Sequence, residues 1–271
     1  LSGGLASTVF WPAGHLLNEA VGWRETCLIF AVLNLAICVP LNWFGLARRE
    51  PESATTADAD NGSGNGVSKA EAPPLVGQAR LMAMVLFSVA TSSYAFIFGA
   101  ASVHLVGLIE TTGIATAVAV TIASLKGVAQ VGGRLWEICF ARNMAPIQVA
   151  RVPVWLMPIA FVVLLSVGVG IGPALVFTVL FGAANGLITI VRGALPLALF
   201  GAKGYGEILG ILATPYLLIN AIAPAVFAIV IEKGGYIAGQ WLLFAAALIS
   251  LVAMEILTAW YRRQAPRPVT A

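Results

Sequence analysis

The sequence predicts an all-α membrane protein, and its composition and the repeated apolar runs along the chain are the observations that predict it. Of the 271 residues, 59% are hydrophobic and 10% are charged, whereas charged residues make up about 25% of ordinary soluble domains. A run of about 20 apolar residues is long enough to cross the hydrocarbon core of a bilayer as a helix. Because such runs recur throughout the chain, lipid is the predicted surrounding of most of it.

The apolar runs, which end at proline, glycine or charged residues, predict eight transmembrane helices. These helices are predicted at residues 2–20, 24–46, 80–105, 112–133, 150–171, 173–200, 205–231 and 236–262. Several prolines fall inside the runs, but helices in a membrane bundle tolerate proline because neighbouring groups satisfy the freed backbone atoms. An even number of crossings places both ends of the chain on one side of the membrane.

Basic residues in the predicted turns lie mainly on one side of the membrane. The larger group has eleven members, which are Arg48, Arg49, Lys69, Arg80, Arg134, Arg142, Arg151, Lys203, Arg262, Arg263 and Arg267. Only Arg24 and Lys233 lie on the other side. Since short cytoplasmic loops carry the excess of lysine and arginine, the larger group and both chain ends are predicted to be cytoplasmic.

The net charge of +3 is modest, and the placement of the basic residues on one side of the membrane gives no reason to expect a nucleic-acid partner.

One long connection interrupts the series of helices. Residues 47–79 are rich in Ala, Asp, Asn, Gly and Ser over much of their length, which is typical of a flexible linker. The predicted organisation is therefore two helices (residues 1–46), a cytoplasmic linker (47–79), a six-helix unit (80–262) and a cytoplasmic tail (263–271).

Three sequence motifs point to a known family. The first is FWPAGH at residues 10–15, followed by Gly-Trp-Arg at 22–24; the others are GVAQVGGRLWE at 127–137 and NGLITIVRGALPLALFG at 185–201. With two helices, a long loop and six more helices, the chain resembles helices five to twelve of a bacterial transporter of the major facilitator superfamily. The chain departs from the family pattern at Ile138, where a second basic residue is usual, and at Trp11, where drug antiporters have glycine before proline.

The resemblance implies a fold, a function and a location. Members of this superfamily have twelve helices in two halves, so the fold implied here is a major facilitator superfamily-like bundle truncated to eight helices. They carry out secondary active transport of small solutes by alternating access in the bacterial inner membrane, and they use no cofactor. The N-terminal helices of the same protein are then an expected partner, and we expect the fragment alone to be inactive.

Arg192 is the strongest candidate for a substrate contact. It lies about 12 Å inside its predicted helix, and Asn185 and Thr189 share its face because the spacing is i, i+4, i+7. A guanidinium donates two parallel hydrogen bonds to a carboxylate. This geometry favours an organic anion such as a carboxylate as the solute. The alternative is structural: Arg192 snorkels to the interface or pairs with Glu207 or Glu137.

Three further residues are weaker candidates for substrate binding. Lys126 lies inside a predicted helix on the same stripe as Arg134, so it either contacts the solute or snorkels along that stripe. Tyr216 and Asn220 lie near Pro215 on one predicted helix, and they are candidates to line the central cavity of the transporter. Their alternative role is to satisfy backbone groups at the proline kink.

Arg134, Glu137 and Arg142 lie where a predicted helix meets the cytoplasm. By the resemblance, they would form a gating cluster of salt bridges. The alternative is an ordinary solvated loop, in which each ion pair contributes no more than about 1 kcal/mol.

Two pairs of glycines have the four-residue spacing that lets membrane helices approach closely. They are Gly182 with Gly186 and Gly206 with Gly210. The spacing predicts a close helix crossing at each pair.

Two other classes of protein compete with a carrier. A receptor or scaffold can retain a transporter fold, because a fold does not fix a function. A membrane enzyme is a weaker alternative, since the twelve acidic residues are scattered and form no obvious acid and base pair. The three cysteines have no metal-ligand spacing, so neither a metal nor a cofactor is predicted.

Overall fold

The protein is almost entirely helical. The computed structural model describes residues 14, 17–41, 75, 77–141, 144–166 and 170–264. Of the described residues, 93% are helical and none lies in a strand. Five helices in this part of the chain are long and apolar enough to cross a membrane. These findings confirm the predicted all-α membrane protein, while the count of eight crossings stays a prediction.

The chain forms two compact units, residues 2–70 and 71–271. In the first unit, helix α1 (Trp23–Leu33) continues through a π-helix, Asn34–Cys38. The Asn34 side chain donates a hydrogen bond to the Phe30 carbonyl oxygen at 3.0 Å and accepts one from the Cys38 thiol at 3.5 Å. Most of the first predicted helix and of the linker lies outside the described residues.

The second unit contains five long helices. They are α2 (Gly77–Glu110), α3 (Thr116–Phe140), α4 (Pro146–Ser166), α5 (Ile171–Phe200) and α6 (Tyr205–Gln264). Gly235 divides α6 into two arms, 205–234 and 236–264, because it has the left-handed φ of 71° that glycine adopts without a steric cost. Each of the six segments predicted between residues 80 and 262 overlaps one of these helices or arms.

Helix α3 ends later than predicted. The sequence places its end at residue 133, but the helix continues to Phe140. Arg134 and Glu137 therefore lie on the helix and not in a loop. The charged residues suggested an early end, yet an amphipathic helix can continue when its polar side faces a neighbouring helix.

Helix α2 packs against both arms of α6. Side-chain hydrogen bonds join these elements from Asn220 to the Ala95 carbonyl oxygen (3.1 Å), from Gln240 to the Thr111 hydroxyl (2.6 Å) and from Ser250 to the Ala90 carbonyl oxygen (2.8 Å). The order of these contacts shows that the second arm runs antiparallel to α2. In the rest of the unit, α3 packs against α5, and α4 packs against α5 and α6.

Two backbone hydrogen bonds identify the opposite ends of this unit. The Gly170 amide donates to the Thr112 carbonyl oxygen at 2.8 Å, which brings the α2–α3 turn beside the start of α5. The Leu75 amide donates to the Leu199 carbonyl oxygen at 3.0 Å, which brings the start of α2 beside the end of α5. Successive turns between helices therefore lie at alternate ends of the unit. We call the end with Leu75 and Leu199 the basic end, because the predicted cytoplasmic turns lie there.

Apolar side chains occupy both the inside and the outside of the helical unit. Phe161, Phe177 and Phe181 are fully buried between α4 and α5, and the rings of the last two are stacked with centroids 5.7 Å apart. On the outside, large apolar residues such as Leu217 and Val252 are more than half exposed. A helix that is apolar on all sides is typical of a membrane span.

Helices α3 and α5 cross at short distance through small residues. A Cβ added at Gly182 would lie 2.6 Å from a carbonyl oxygen of α3, and one added at Gly133 or Gly186 would also meet a carbonyl oxygen of the facing helix. The predicted close crossing at the first glycine pair is therefore confirmed. The crossing at Gly206 and Gly210 stays a prediction, because an added Cβ at either residue meets nothing within 4 Å in the described part of the chain.

Candidate functional site

The α3–α5 crossing joins a predicted gating residue to a predicted substrate-binding residue. Arg134 on α3 donates a hydrogen bond from Nη2 to the Thr189 hydroxyl at 3.0 Å. That hydroxyl donates in turn to the Gly186 carbonyl oxygen at 2.7 Å, so its lone pairs are free to accept from the guanidinium. The Arg134 Nε is buried and has no hydrogen-bond partner among the described residues.

Lys126 lies among groups from two neighbouring helices. Its Nζ is 4.9 Å from the ring centroid of Phe98 and 5.3 Å from that of Phe181, and it lies 3.5 Å from the Ser102 hydroxyl. All three partners lie about 12 to 18 Å along their helices from the end with the α2–α3 turn, as does Lys126 itself. The ammonium therefore stays near the middle of the unit and does not extend toward the basic end.

Arg192 is stacked on Tyr216. The guanidinium carbon lies 3.4 Å from the centroid of the tyrosine ring, and the tyrosine is buried. This geometry combines cation–π attraction with planar stacking. A planar guanidinium can make both interactions, whereas the ammonium of lysine cannot stack. Neither Glu207 nor Glu137 forms an ion pair with Arg192 among the residues that the structure describes.

The two candidate asparagines differ in their surroundings. Asn220 donates its amide hydrogen bond to the Ala95 carbonyl oxygen at 3.1 Å, so it links the first arm of α6 to α2. Asn185 is 5% exposed on α5, one turn from Thr189. The structure thus brings Lys126 and Arg134 against α5, whereas Asn220 contacts α2.

The predicted gating cluster is not assembled among the described residues. Glu137 lines a small cavity between α3, α4 and α5 together with Met144 and Val191. Arg134 bonds to the Thr189 hydroxyl instead of to Glu137. Arg142 lies outside the described residues, so gating by these three residues stays a prediction.

One ion pair of this unit was missed by the sequence reasoning. The Arg151 Nε lies 2.7 Å from Glu255 Oε1, and the Trp155 indole N–H donates to the same oxygen at 2.8 Å. The contacts join α4 to the second arm of α6. The sequence holds one signal for this pair, since Arg151 and Glu255 have opposite charges and both lie toward the predicted cytoplasmic ends of their helices.

The contrast among the basic side chains is the main electrostatic feature. Arg151 is neutralised by a carboxylate, but Lys126, Arg134 and Arg192 contact only aromatic rings and hydroxyls within the described ranges. We call these three residues the cation set; Lys126 lies beside α2 and α5, Arg134 lies beside α5, and Arg192 of α5 lies against the first arm of α6. An uncompensated charge near the centre of a bilayer costs about 2.5 to 3.5 kcal/mol on insertion scales. Such a set would stabilise an anion that reached it.

Comparison with known proteins assigns no family. No protein-family model matches the chain, and no curated protein matches it. Over residues 17–41, 77–141, 144–166 and 170–264, no group of three or more His, Cys, Asp or Glu lies close enough to hold a metal ion. Membership of the major facilitator superfamily therefore stays a prediction from the sequence motifs.

Proposed function

We propose that this chain is part of a secondary carrier that moves a small organic anion, such as a carboxylate, across a membrane by alternating access. The observation that supports the proposal most directly is the cation set, whose three positive charges have no carboxylate partner among the described residues. Because intramembrane charges are costly, they are usually found where a solute pathway or a partner requires them. An anionic solute is the partner that we propose.

The two arginines suit a carboxylate better than a cation or a neutral sugar. A guanidinium offers two parallel N–H groups to the two carboxylate oxygens, and hydrogen bonds to charged groups contribute about 1.5 to 3 kcal/mol. Arg134 keeps a buried Nε without a hydrogen-bond partner among the described residues, so one donor of its guanidinium is unsatisfied. Lys126 lies two helical turns from Arg134, about 12 Å along α3, and adds positive charge along the same helix.

The resemblance supplies the rest of the proposal. The carrier belongs to the major facilitator superfamily, lies in the bacterial inner membrane and has both ends of this chain in the cytoplasm. Helices that precede this chain in the same protein complete the central cavity. In this arrangement the cation set faces the cavity, and rocking of two halves about a midplane site exposes it to each side in turn.

Anion binding to the purified chain tests the proposal. The chain is placed in lipid nanodiscs, and its thermal unfolding is followed while carboxylates, amines and neutral sugars are added in turn. A carboxylate at 100 times its Kd is expected to stabilise the fold by about 2.7 kcal/mol. Arg192→Gln and Arg134→Gln are each expected to weaken binding roughly 10- to 100-fold, because each removes charged donors.

Arg263→Gln is the matched control, since Arg263 is exposed in the last turn of α6 and should bind the carboxylate as the unmodified chain does. Stabilisation by amines or sugars, or equal carboxylate binding by all variants, would contradict the anion proposal. Uptake into proteoliposomes by the longer protein that contains this chain then distinguishes a carrier from a receptor, a scaffold or an enzyme. A carrier accumulates the bound anion, whereas a receptor or scaffold binds it without uptake and an enzyme converts it.

A further inference from the structure

A groove lies on the surface between α4 and the second arm of α6, at the basic end of the unit. Seven residues line it, namely Met144, Gln148, Arg151, Val152, Trp155, Leu156 and Arg262. None of them belongs to the cation set, so the groove is a separate feature. Its chemistry does not depend on the proposed transport function.

The groove carries a net positive charge. Arg151 is paired with Glu255 at 2.7 Å, and this pair contributes no net charge. Arg262 is exposed in the last turn of α6 and, within the described ranges, forms no ion pair of its own. An anionic group in the groove would meet the Arg262 guanidinium and the amide of Gln148, which is also exposed.

Polarity changes with depth along the groove. Gln148 lies in the first turn of α4 and Arg262 in the last turn of α6, so both lie at the helix ends. Val152 and Leu156 follow at successive turns deeper along α4, and the Trp155 side chain between them is 46% exposed. Tryptophan is enriched at the level of the lipid headgroups, where its ring has one apolar and one polar side. The groove thus has a basic outer part and an apolar inner part, which matches the two parts of a phospholipid.

We propose that this groove binds one anionic phospholipid, with the headgroup phosphate at Arg262 and Gln148 and an acyl chain along Val152 and Leu156. Basic pockets between membrane helices on the cytoplasmic side are suited to anionic headgroups. The Arg151–Glu255 pair and the Trp155 N–H keep α4 against the second arm, so they hold the two walls of the groove in position.

Native mass spectrometry of the intact chain tests this site. The chain is released from nanodiscs of phosphatidylcholine that contain a graded fraction of phosphatidylglycerol, and the retained anionic lipids are counted. Arg262→Gln is expected to weaken retention of one phosphatidylglycerol about fivefold, because one basic residue near a membrane surface contributes attraction of that size. Arg263→Gln is the matched control, because Arg263 is the exposed neighbour of Arg262 and does not line the groove. This variant should retain the lipid.

A second variant and a soluble probe complete the experiment. Gln148→Glu places a negative charge in the groove and leaves Arg151 and Glu255 unsubstituted; it is expected to weaken retention at least as much as Arg262→Gln. Glycerol phosphate, which has the headgroup phosphate but no acyl chain, is expected not to displace the lipid. Equal loss in Arg262→Gln and Arg263→Gln, or no loss in Gln148→Glu, would overturn the site. Displacement by glycerol phosphate would overturn the lipid as its occupant.

Discussion

Lys126 holds a positive charge in the middle of the helical unit without a carboxylate partner. Its ammonium lies between two phenylalanine rings at 4.9 and 5.3 Å. At a partly exposed site each cation–π contact contributes about 0.5 to 1 kcal/mol, so the two contacts together offset about 1 to 2 kcal/mol of the cost of about 2.5 to 3.5 kcal/mol for a lysine at this depth on insertion scales. At this residue, stability and function are therefore expected to conflict.

Replacement of Lys126 tests this conflict. Lys126→Met keeps the length of the side chain and removes the charge, so we expect the free energy of unfolding to rise by about 1 kcal/mol. Carboxylate binding should weaken in the same variant. Thermal unfolding in nanodiscs with and without a carboxylate measures both effects.

Arg151→Met is the contrasting variant, because it removes the charge from a cation that has a partner. The variant leaves Glu255 without its ion-pair partner. Because both side chains of the pair are about one-third exposed, the free energy of unfolding should fall by about 1 kcal/mol. If both variants changed stability in the same direction, the distinction between the cation set and the paired arginine would be wrong.

The sequence predicted which candidate residues share a helix face but not which residues they contact. The i, i+4, i+7 spacing placed Asn185, Thr189 and Arg192 on one face from the helical period alone. It did not identify Arg134 as the partner of Thr189, because that contact joins residues 55 positions apart. The contact of Arg192 with Tyr216 likewise depends on how α5 and α6 pack, which no local pattern encodes.

At the scale of elements, the helices follow from the apolar runs, and their ends follow less well. The break between 231 and 236 was predicted, and Gly235 supplies it with a φ of 71°. The end of α3 was not predicted, because its last charged residues face neighbouring helices and the helix continues beyond them. The π-helix Asn34–Cys38 was also missed, since no apolar or charge period distinguishes it from an α-helix.

The close crossing of α3 and α5 gives a prediction at this scale. Gly186→Ala should lower the free energy of unfolding by about 1 to 3 kcal/mol, because its Cβ would enter the backbone of α3. Gly210→Ala is the control, since its Cβ meets nothing within 4 Å in the described part of the chain. This control should be neutral or stabilising by up to about 1 kcal/mol, because alanine favours helix over glycine. Equal losses in the two variants would contradict a close helix crossing that is specific to Gly186.

The break in α6 gives a second prediction. Gly235→Ala places a Cβ on a residue with φ 71° and ψ 178°, a backbone conformation that costs a residue with a side chain about 1 to 3 kcal/mol, although no atom of the described residues lies within 4 Å of that Cβ. The midpoint of thermal unfolding should therefore fall. Gly206→Ala, at a helical position of α6 with equally open surroundings, should not lower it. A fall in both variants would contradict an origin in backbone strain.

At the scale of the whole second unit, charge and topology agree. Turns alternate between two ends, and the described basic residues near those ends gather mostly at the one that holds Leu75, Leu199 and the last turn of α6. The sequence predicted this asymmetry without any tertiary contact, because the positive-inside rule depends only on which turns share a side. The missed Arg151–Glu255 pair is different in kind, since it depends on the packing of α4 against α6 across 104 positions of sequence.

Labelling of single cysteines in intact cells tests the central claim that this unit crosses the membrane with its basic turns in the cytoplasm. In a chain without Cys27, Cys38 and Cys139, one new cysteine replaces either Ala115, in the α2–α3 turn, or Ala202, in the α5–α6 turn; both positions are exposed. A membrane-impermeant maleimide is expected to label Ala115→Cys in intact cells and Ala202→Cys only after the membrane is permeabilised. Labelling of both positions in intact cells, or of Ala202→Cys alone, would contradict the claim.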